Sequence, residues 1–205
     1  LYETSAGNFE NGILFDDGVI KFMRETSLTN FSFILDGNSR ISLGNNDSGT
    51  SNTVFGKLAG DDLASGGNYN VFLGEEAGHA STTGDNNVYL GYQAGYGSSH
   101  VASDNVAIGW KSMGNRTTGH ENVVVGSSAG LDMTTAADNV MVGFSAAENY
   151  SEAQRNIAIG HKSHFVAQYA NDNVVIGYHA GYNCNLSDWN ILIGAYAGYK
   201  LGDAG

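Results

Sequence analysis

Asn105-Val-Ala-Ile-Gly109 is the stretch of sequence that decides the fold, because close variants of it return along most of the chain. The pattern is Asn, a β-branched residue, a variable residue, an aliphatic or aromatic residue and Gly, and it occurs nine times at intervals of 17 or 18 residues. The copies begin at Asn52, Asn70, Asn87, Asn105, Asn122, Asn139, Asn156, Asn173 and Asn190. They end at Gly56, Gly74, Gly91, Gly109, Gly126, Gly143, Gly160, Gly177 and Gly194. Internal repetition at this period predicts a solenoid, in which each unit is one coil.

The repeat unit has the hydrophobic pattern of strands. Its apolar residues alternate in short β-branched runs that glycine interrupts, which does not suit a helix. The unit is also shorter than a propeller blade or a helical-hairpin repeat. We therefore predict an all-β fold in which residues 46–205 form a parallel β-solenoid (β-roll) of nine coils, intertwined or packed as a homotrimer. At roughly 4.8 Å per coil, nine coils make a rod section of about 43 Å.

The two constant residues of the motif have structural explanations. Glycine accepts a positive φ or a close approach of the next coil, so the nine motif glycines are expected to stack in one column. The motif asparagines tolerate unusual φ values and are expected to form a ladder of side-chain amides along the rod.

The middle residue of each strand is apolar in every copy, although we expect the first and third residues to point inward and the middle one outward. These predicted interface residues are Val54, Phe72, Tyr89, Ala107, Val124, Met141, Ala158, Val175 and Leu192. Because a strand that is apolar on both faces is normally buried on both, the stripe predicts oligomerisation. The alternative is burial of both faces within one chain beneath an N-terminal cap.

Residues 1–45 lack the repeat and are predicted to form a small β connector or cap. Apolar runs around Asp16-Asp17-Gly18 indicate a hairpin, and a second pair of strands is expected at 31–35 and 40–44. The latter run resembles a degenerate first coil, with Arg40 in the Asn position. Since an open coil end exposes unpaired backbone groups, a cap is needed there, and further chain is expected after the last repeat.

Charge and composition argue against several partners. Acidic residues outnumber basic ones by 21 to 9, so no basic stripe is available for nucleic acid, and no segment suggests membrane insertion. Cys184 is the single cysteine, which permits no internal disulfide. No motif for a cofactor or a metal is found.

The sequence does not predict an enzyme, because it contains no nucleophile elbow, no HExxH and no phosphate-binding loop. The carboxylate pairs Asp61-Asp62 and Glu75-Glu76 have adjacent side chains that diverge, which gives weak support to a glycosidase. The histidines are interpreted as scattered solvent-facing or interface residues: His79, His100, His120, His161, His164 and His179. An ice-binding solenoid would need a regular Thr array, which the sequence lacks.

Several aromatic residues lie outside the strand core. They are Tyr92, Tyr96, Trp110, Tyr178, Tyr182, Trp189, Tyr196 and Tyr199. Their ring faces suit stacking on sugars of a host surface glycan, and packing between adjacent coils or trimer edges is the more ordinary interpretation.

Asn105-Val-Ala-Ile-Gly109 and Asn156-Ile-Ala-Ile-Gly160 resemble the head repeats of trimeric autotransporter adhesins, the YadA-like left-handed parallel β-roll. Tyr92-Gln-Ala-Gly-Tyr96 and Tyr178-His-Ala-Gly-Tyr182 resemble repeats of phage tail fibres. The resemblance covers residues 52–205 and implies a parallel homotrimer that attaches a virion or a cell to a surface, together with other fibre or virion proteins. The repeat is somewhat longer than the usual adhesin unit.

Of these families we favour the virion tail fibre. The alternatives are the head of a bacterial surface adhesin and a polysaccharide-degrading tailspike. A tailspike would need a carboxylate cluster that interrupts the repeat, and the nine copies run with almost no insertion.

Overall fold

The structure is a computed structural model. It describes the backbone of four N-terminal strands within residues 12–42, and then residues 51–97, 101–115, 118–166, 169–184 and 188–200. This part of the chain contains strands, turns and bends and no helix.

Thirteen strands are present among the described residues. The N-terminal ones are β1 (Gly12–Asp16), β2 (Val19–Met23), β3 (Phe31–Leu35) and β4 (Ser39–Ser42). The repeat strands are β5 (Thr53–Lys57), β6 (Val71–Leu73), β7 (Val88–Leu90), β8 (Val106–Ile108), β9 (Val123–Val125), β10 (Val140–Val142), β11 (Ile157–Ile159), β12 (Val174–Ile176) and β13 (Ile191–Ile193).

Strands β5 to β13 form the predicted parallel β-solenoid. Each pairs in parallel with the next strand along the chain, and each motif residue lies opposite its counterpart, as Val106 does opposite Val123. Nine strands define about eight turns of the solenoid. Eight steps of about 4.8 Å give a rod of roughly 38 Å.

The N-terminal strands are antiparallel. The β1–β2 pairing confirms the predicted hairpin, and β3 adds to β2 on the other side. Strand β4 pairs antiparallel with β5, so that Arg40 lies opposite Gly56. The prediction that this run is a degenerate first coil is therefore wrong, because a coil of the solenoid would run parallel to β5. Instead, β4 pairs with the backbone groups on the first edge of the solenoid.

The core of the solenoid is one residue wide on the strand side. In each strand the middle residue is buried and its two neighbours are half-buried or exposed, apart from the last strand, where Leu192 is itself half-buried. The residue facing it lies on the opposite wall of the coil, four residues beyond the motif glycine. A Cβ on Gly78 would lie 2.8 Å from three ring atoms of Phe72, and one on Gly95 would lie 2.7 Å from the ring of Tyr89. We call this fourth residue the facing residue.

The prediction of which strand residues point outward is consequently wrong. Eight of the middle residues assigned to a trimer interface are at most 1% exposed and belong to the hydrophobic core of the single chain: Val54, Phe72, Tyr89, Ala107, Val124, Met141, Ala158 and Val175. The ninth, Leu192, packs against this core from the last coil. These residues must face inward because the chain folds back over them within one coil, with the facing residue closing the other side.

The facing residue varies in size with the middle residue. Where the middle residue is as small as Ala107 or Ala158, the facing residue is Met113 or His164, both fully buried. Where it is as large as Phe72, the facing residue is glycine. In these coils a small middle residue is compensated by a large facing residue, which keeps the core filled. It also explains why glycine is replaced at positions 113 and 164.

Candidate interaction surface

The motif asparagines form the predicted amide ladder in the interior. In Asn122, for example, Oδ1 accepts hydrogen bonds from the backbone N–H of Asn139 at 3.0 Å and from its Nδ2 at 3.0 Å, while Nδ2 of Asn122 donates to the Ala136 carbonyl at 2.8 Å. The corresponding backbone bond to the previous asparagine recurs from Asn70 to Asn190. A buried amide is tolerated here because its donors and acceptor have partners. The ladder confirms a structural role.

The motif glycines form the predicted column. A Cβ on Gly91 would lie 2.6 Å from the carbonyl oxygen of Gly109, and the φ of Gly91 is +129°. Because of both the close backbone approach and the positive φ, any side chain at this position would be costly. Gly194 has the same conformation, with φ +125°, but no atom lies within 4 Å of its would-be Cβ.

Each coil also contains left-handed residues that the sequence did not reveal. The residue before every motif asparagine has a positive φ, as in Arg155 at +56° and Trp189 at +63°. The second residue after the motif glycine is also left-handed, as in Lys111 at +53°. Since the side chains at these positions range from Ser to Trp, their composition carries no signal for this conformation.

The outward-facing side chains of the strands form a continuous apolar surface, which we call the outer strand face. Its first column is Thr53, Val71, Val88, Val106, Val123, Val140, Ile157, Val174 and Ile191. Its second column is Phe55, Leu73, Leu90, Ile108, Val125, Val142, Ile159, Ile176 and Ile193. None of these 18 positions is charged and only Thr53 is polar, whereas 15% of the whole chain is charged. Contiguous exposed apolar surface of this kind marks an interface.

Aromatic residues adjoin the outer strand face at the corner of the coil. The residue directly after the motif glycine is exposed and aromatic at Tyr92, Trp110, Phe144 and Tyr178. At the C-terminal end these rings stack along the rod, since the ring of His161 lies 5.1 Å from that of Phe144 and 5.3 Å from that of Tyr178.

A second aromatic column lies on the opposite wall, at the fifth residue after the motif glycine, and we call it the outer turn column. Tyr182 is stacked between Phe165 at 4.9 Å and Tyr199 at 5.2 Å, with planes within 10° of parallel. Rings stacked in this way cover one another's faces and present only their edges to solvent. The expected packing between coils is therefore confirmed for Tyr182 and Tyr199, and the face of Tyr182 is not available to a sugar.

One histidine is buried, which corrects its interpretation as a surface residue. His164 is fully buried as a facing residue, and its Nδ1 is hydrogen-bonded to the Tyr150 hydroxyl at 2.5 Å. Burial lowers the pKa of His164 to about 4, so the ring is neutral at pH 7. Burial also raises the pKa of Tyr150. His79, His120, His161 and His179 are half-buried or exposed, and His100 lies outside the described residues.

The carboxylate pairs lie apart on the surface of the first coils. Glu75 is 3.6 Å from the Lys57 ammonium, and Glu76 accepts a hydrogen bond from Gln93 at 2.5 Å. Asp61 and Asp62 are both exposed. Across the described ranges, no group of three or more His, Cys, Asp or Glu is placed to hold a metal ion. The same part of the chain has no helix long and apolar enough to cross a membrane.

Fold and surface together define a class of protein: a parallel β-solenoid with an internal asparagine ladder and an uncharged, apolar strand face. Comparison of the chain with protein-family models, with curated proteins and with solved structures finds no match.

Proposed function

We propose that the chain is a structural and adhesive segment of a trimeric virion tail fibre, which supports attachment of the particle to a host cell surface. The observation that carries this proposal is the outer strand face, with 18 uncharged positions in two columns along the rod. On a chain with a net charge of −12, such a face is best explained by a partner that covers it.

The dimensions of the face suit a second and a third copy of the chain. Three strand residues span about 10 Å and the rod spans roughly 38 Å, which gives about 400 Å² before the surface relief is counted. The corner aromatics widen this area towards the ~800 Å² per partner that a stable interface buries. Because the same residues recur in each coil, identical chains can associate in parallel with every coil in register. The number three comes from the resemblance to trimeric fibres.

A fibre segment also agrees with how the rod is stabilised. Each coil bonds mainly to the coils before and after it, so the rod can transmit force along its axis through parallel backbone hydrogen bonds and the asparagine ladder. Such a rod suits a part that holds a binding tip away from a particle.

The test is the mass of the purified chain by light scattering, at low protein concentration and in high salt. We expect three times the chain mass of 21.6 kDa. The variant Ile108→Glu/Ile159→Glu places two charges on the outer strand face and is expected to yield a folded monomer. Val101→Glu, at an exposed position outside the strands, is the matched control and is expected to remain trimeric. A wild-type chain that stays monomeric at all concentrations would refute the proposal.

A further inference from the structure

The outer turn column has no ring in three successive coils, where it holds Gly114, Leu131 and Glu148, and the missing side chain at Gly114 leaves a notch. Tyr96, Gly114 and Leu131 occupy this column in three successive coils, and the backbone bonds Gly97 N–H to Gly114 O and Asn115 N–H to Leu131 O keep them in step. Because Gly114 has no side chain, the coil between Tyr96 and Leu131 contributes nothing to the column. The resulting cavity of about 290 Å³ is lined by Gln93, Tyr96, Lys111, Gly114, Asn115 and Leu131.

Tyr96 is thereby distinguished from the other rings of its column. One face of its ring packs on His79, with centroids 5.2 Å apart, and its other side borders the cavity. Tyr182, by contrast, is covered on both faces. The open aromatic surface of Tyr96 can therefore stack against the C–H face of a flat ligand.

The polar groups of the notch are held in place by carboxylates. Nε2 of Gln93 donates to Glu76 at 2.5 Å, and Nδ2 of Asn115 donates to Asp132 at 2.6 Å. Since a carboxylate accepts hydrogen bonds only, each amide must turn its nitrogen towards it and its carbonyl oxygen away. Lys111 adds an ammonium donor, whose Nζ lies 4.8 Å from the centre of the Trp110 ring.

We propose that this notch binds one pyranose ring of a neutral carbohydrate. A pyranose has an apolar face for Tyr96 and hydroxyl groups that can donate to the amide oxygens and accept from Lys111. The volume is at the lower end of the ligand pockets of proteins, which suits a single sugar ring. Glu76 and Asp132 make an acidic sugar unfavourable, because Lys111 is the one cation among the described residues that line the notch.

The site goes beyond the proposed fibre role and does not depend on it. The facing residue separates the outer turn column from the outer strand face, so the notch lies on the opposite wall of the coil. The Lys111 side of the notch adjoins the corner residue Trp110, and a monomeric chain would have the notch as well.

The test is a titration of the whole chain with methyl β-D-glucopyranoside, methyl β-D-galactopyranoside and methyl N-acetyl-β-D-glucosaminide. Binding is followed by saturation-transfer difference NMR and by tryptophan fluorescence, since Trp110 contacts Lys111. We expect saturable binding of at least one of these sugars in the millimolar range, and about tenfold weaker binding by Tyr96→Leu.

Two further variants make the result specific. Gly114→Leu fills the notch at a position with no positive φ, where the new Cβ would lie 2.8 Å from the movable end of Leu131 and 3.1 Å from the Lys111 carbonyl oxygen, and it is expected to abolish binding. Tyr182→Leu is the control. It changes the same column position three coils beyond Leu131, where the ring is covered on both faces, and is expected to bind like wild type. Circular dichroism checks that each variant is folded. Failure of all three sugars to bind, or unchanged binding by folded Tyr96→Leu, would overturn the proposal.

Discussion

The ring of Phe72 lies against the backbone of Gly78, so closely that a Cβ on Gly78 would be 2.8 Å from three ring atoms. This contact joins the two walls of one coil. It means that in this coil the size of the middle strand residue limits the size of the facing residue.

The first prediction concerns that coupling. Phe72→Ala is expected to destabilise the protein by about 3–5 kcal/mol, because it leaves a cavity in the core. Gly78→Met alone is expected to cost about 1–3 kcal/mol through overpacking and more through backbone strain, since the φ of Gly78 is +60°. The double variant reproduces the natural combination of Ala107 with Met113. Its loss of stability should be at least about 1 kcal/mol smaller than the sum of the losses in the two single variants. Urea denaturation at a fixed protein concentration measures all four proteins, and strict additivity would contradict the coupling.

The second prediction separates steric contact from backbone strain in the glycine column. Gly143→Ala would place a Cβ 2.7 Å from the carbonyl carbon of Gly160, at a φ of +138°. Gly194→Ala has a similar φ of +125° but meets no atom within 4 Å. Gly194→Ala should therefore cost only the strain of about 1–3 kcal/mol, and Gly143→Ala clearly more. Equal shifts of the thermal midpoint in the two variants would show that coil stacking does not require the glycine.

The third prediction concerns the asparagine ladder. Asn139→Ala removes the acceptor for the backbone N–H of Asn156 and the donor to the Ala153 carbonyl, both in the interior. Each buried group left without a partner costs about 1–3 kcal/mol, so a loss of several kcal/mol is expected. Asn183→Ala, at an exposed position, is the control and should change the free energy of unfolding by less than about 0.5 kcal/mol. The ladder would be dispensable if both variants unfolded at the same urea concentration.

The fourth prediction is a loss of stability in mild acid. His164 has a folded pKa of about 4, below the value of 6.5 for a free histidine, because its ring is buried. The unfolded chain therefore binds a proton before the folded chain does, and stability falls as the pH drops from above 6.5 towards 4. Between pH 7 and pH 5 this linkage amounts to about 2 kcal/mol.

The pH effect has a natural control, because Met113 occupies the facing position in another coil. His164→Met/Tyr150→Phe removes the titrating ring together with the hydroxyl that would lose its partner. Urea midpoints at pH 7 and pH 5 should differ less for this variant than for wild type. An unchanged difference would mean that the acid sensitivity arises elsewhere.

The sequence predicted the parts of the fold that repeat without variation. The motif asparagine and glycine are constant because each has one physical task, and the predicted ladder and column are both present. The direction of the strand side chains was predicted wrongly because both faces are apolar, and alternation alone cannot then identify the core. The core face could have been identified from residue sizes, because the small Ala107 is paired with the large Met113 and the large Phe72 is paired with Gly78.

Other features could not have been predicted from residue types. The left-handed positions accept side chains as different as those of Arg155 and Trp189, because stacking of neighbouring coils imposes the conformation. The notch at Gly114 looks in the sequence like one more glycine, and its meaning depends on the columns that only the coil path defines. Strand β4 has a repeat-like sequence, yet its direction is set by the open edge of β5.

The in-step hydrogen bonding between coils also bears on how such a protein can change over generations. The backbone N–H of each motif asparagine donates to the side-chain oxygen of the asparagine in the previous coil, and its own side-chain oxygen accepts the same bond from the next coil. Every junction between coils therefore uses the same bonds. A duplication or deletion of one whole unit in the gene would join two compatible coils and leave the ladder unbroken. The length of the rod can therefore vary in discrete steps of one coil, and natural variants are expected to differ by whole repeats more readily than by single residues within them.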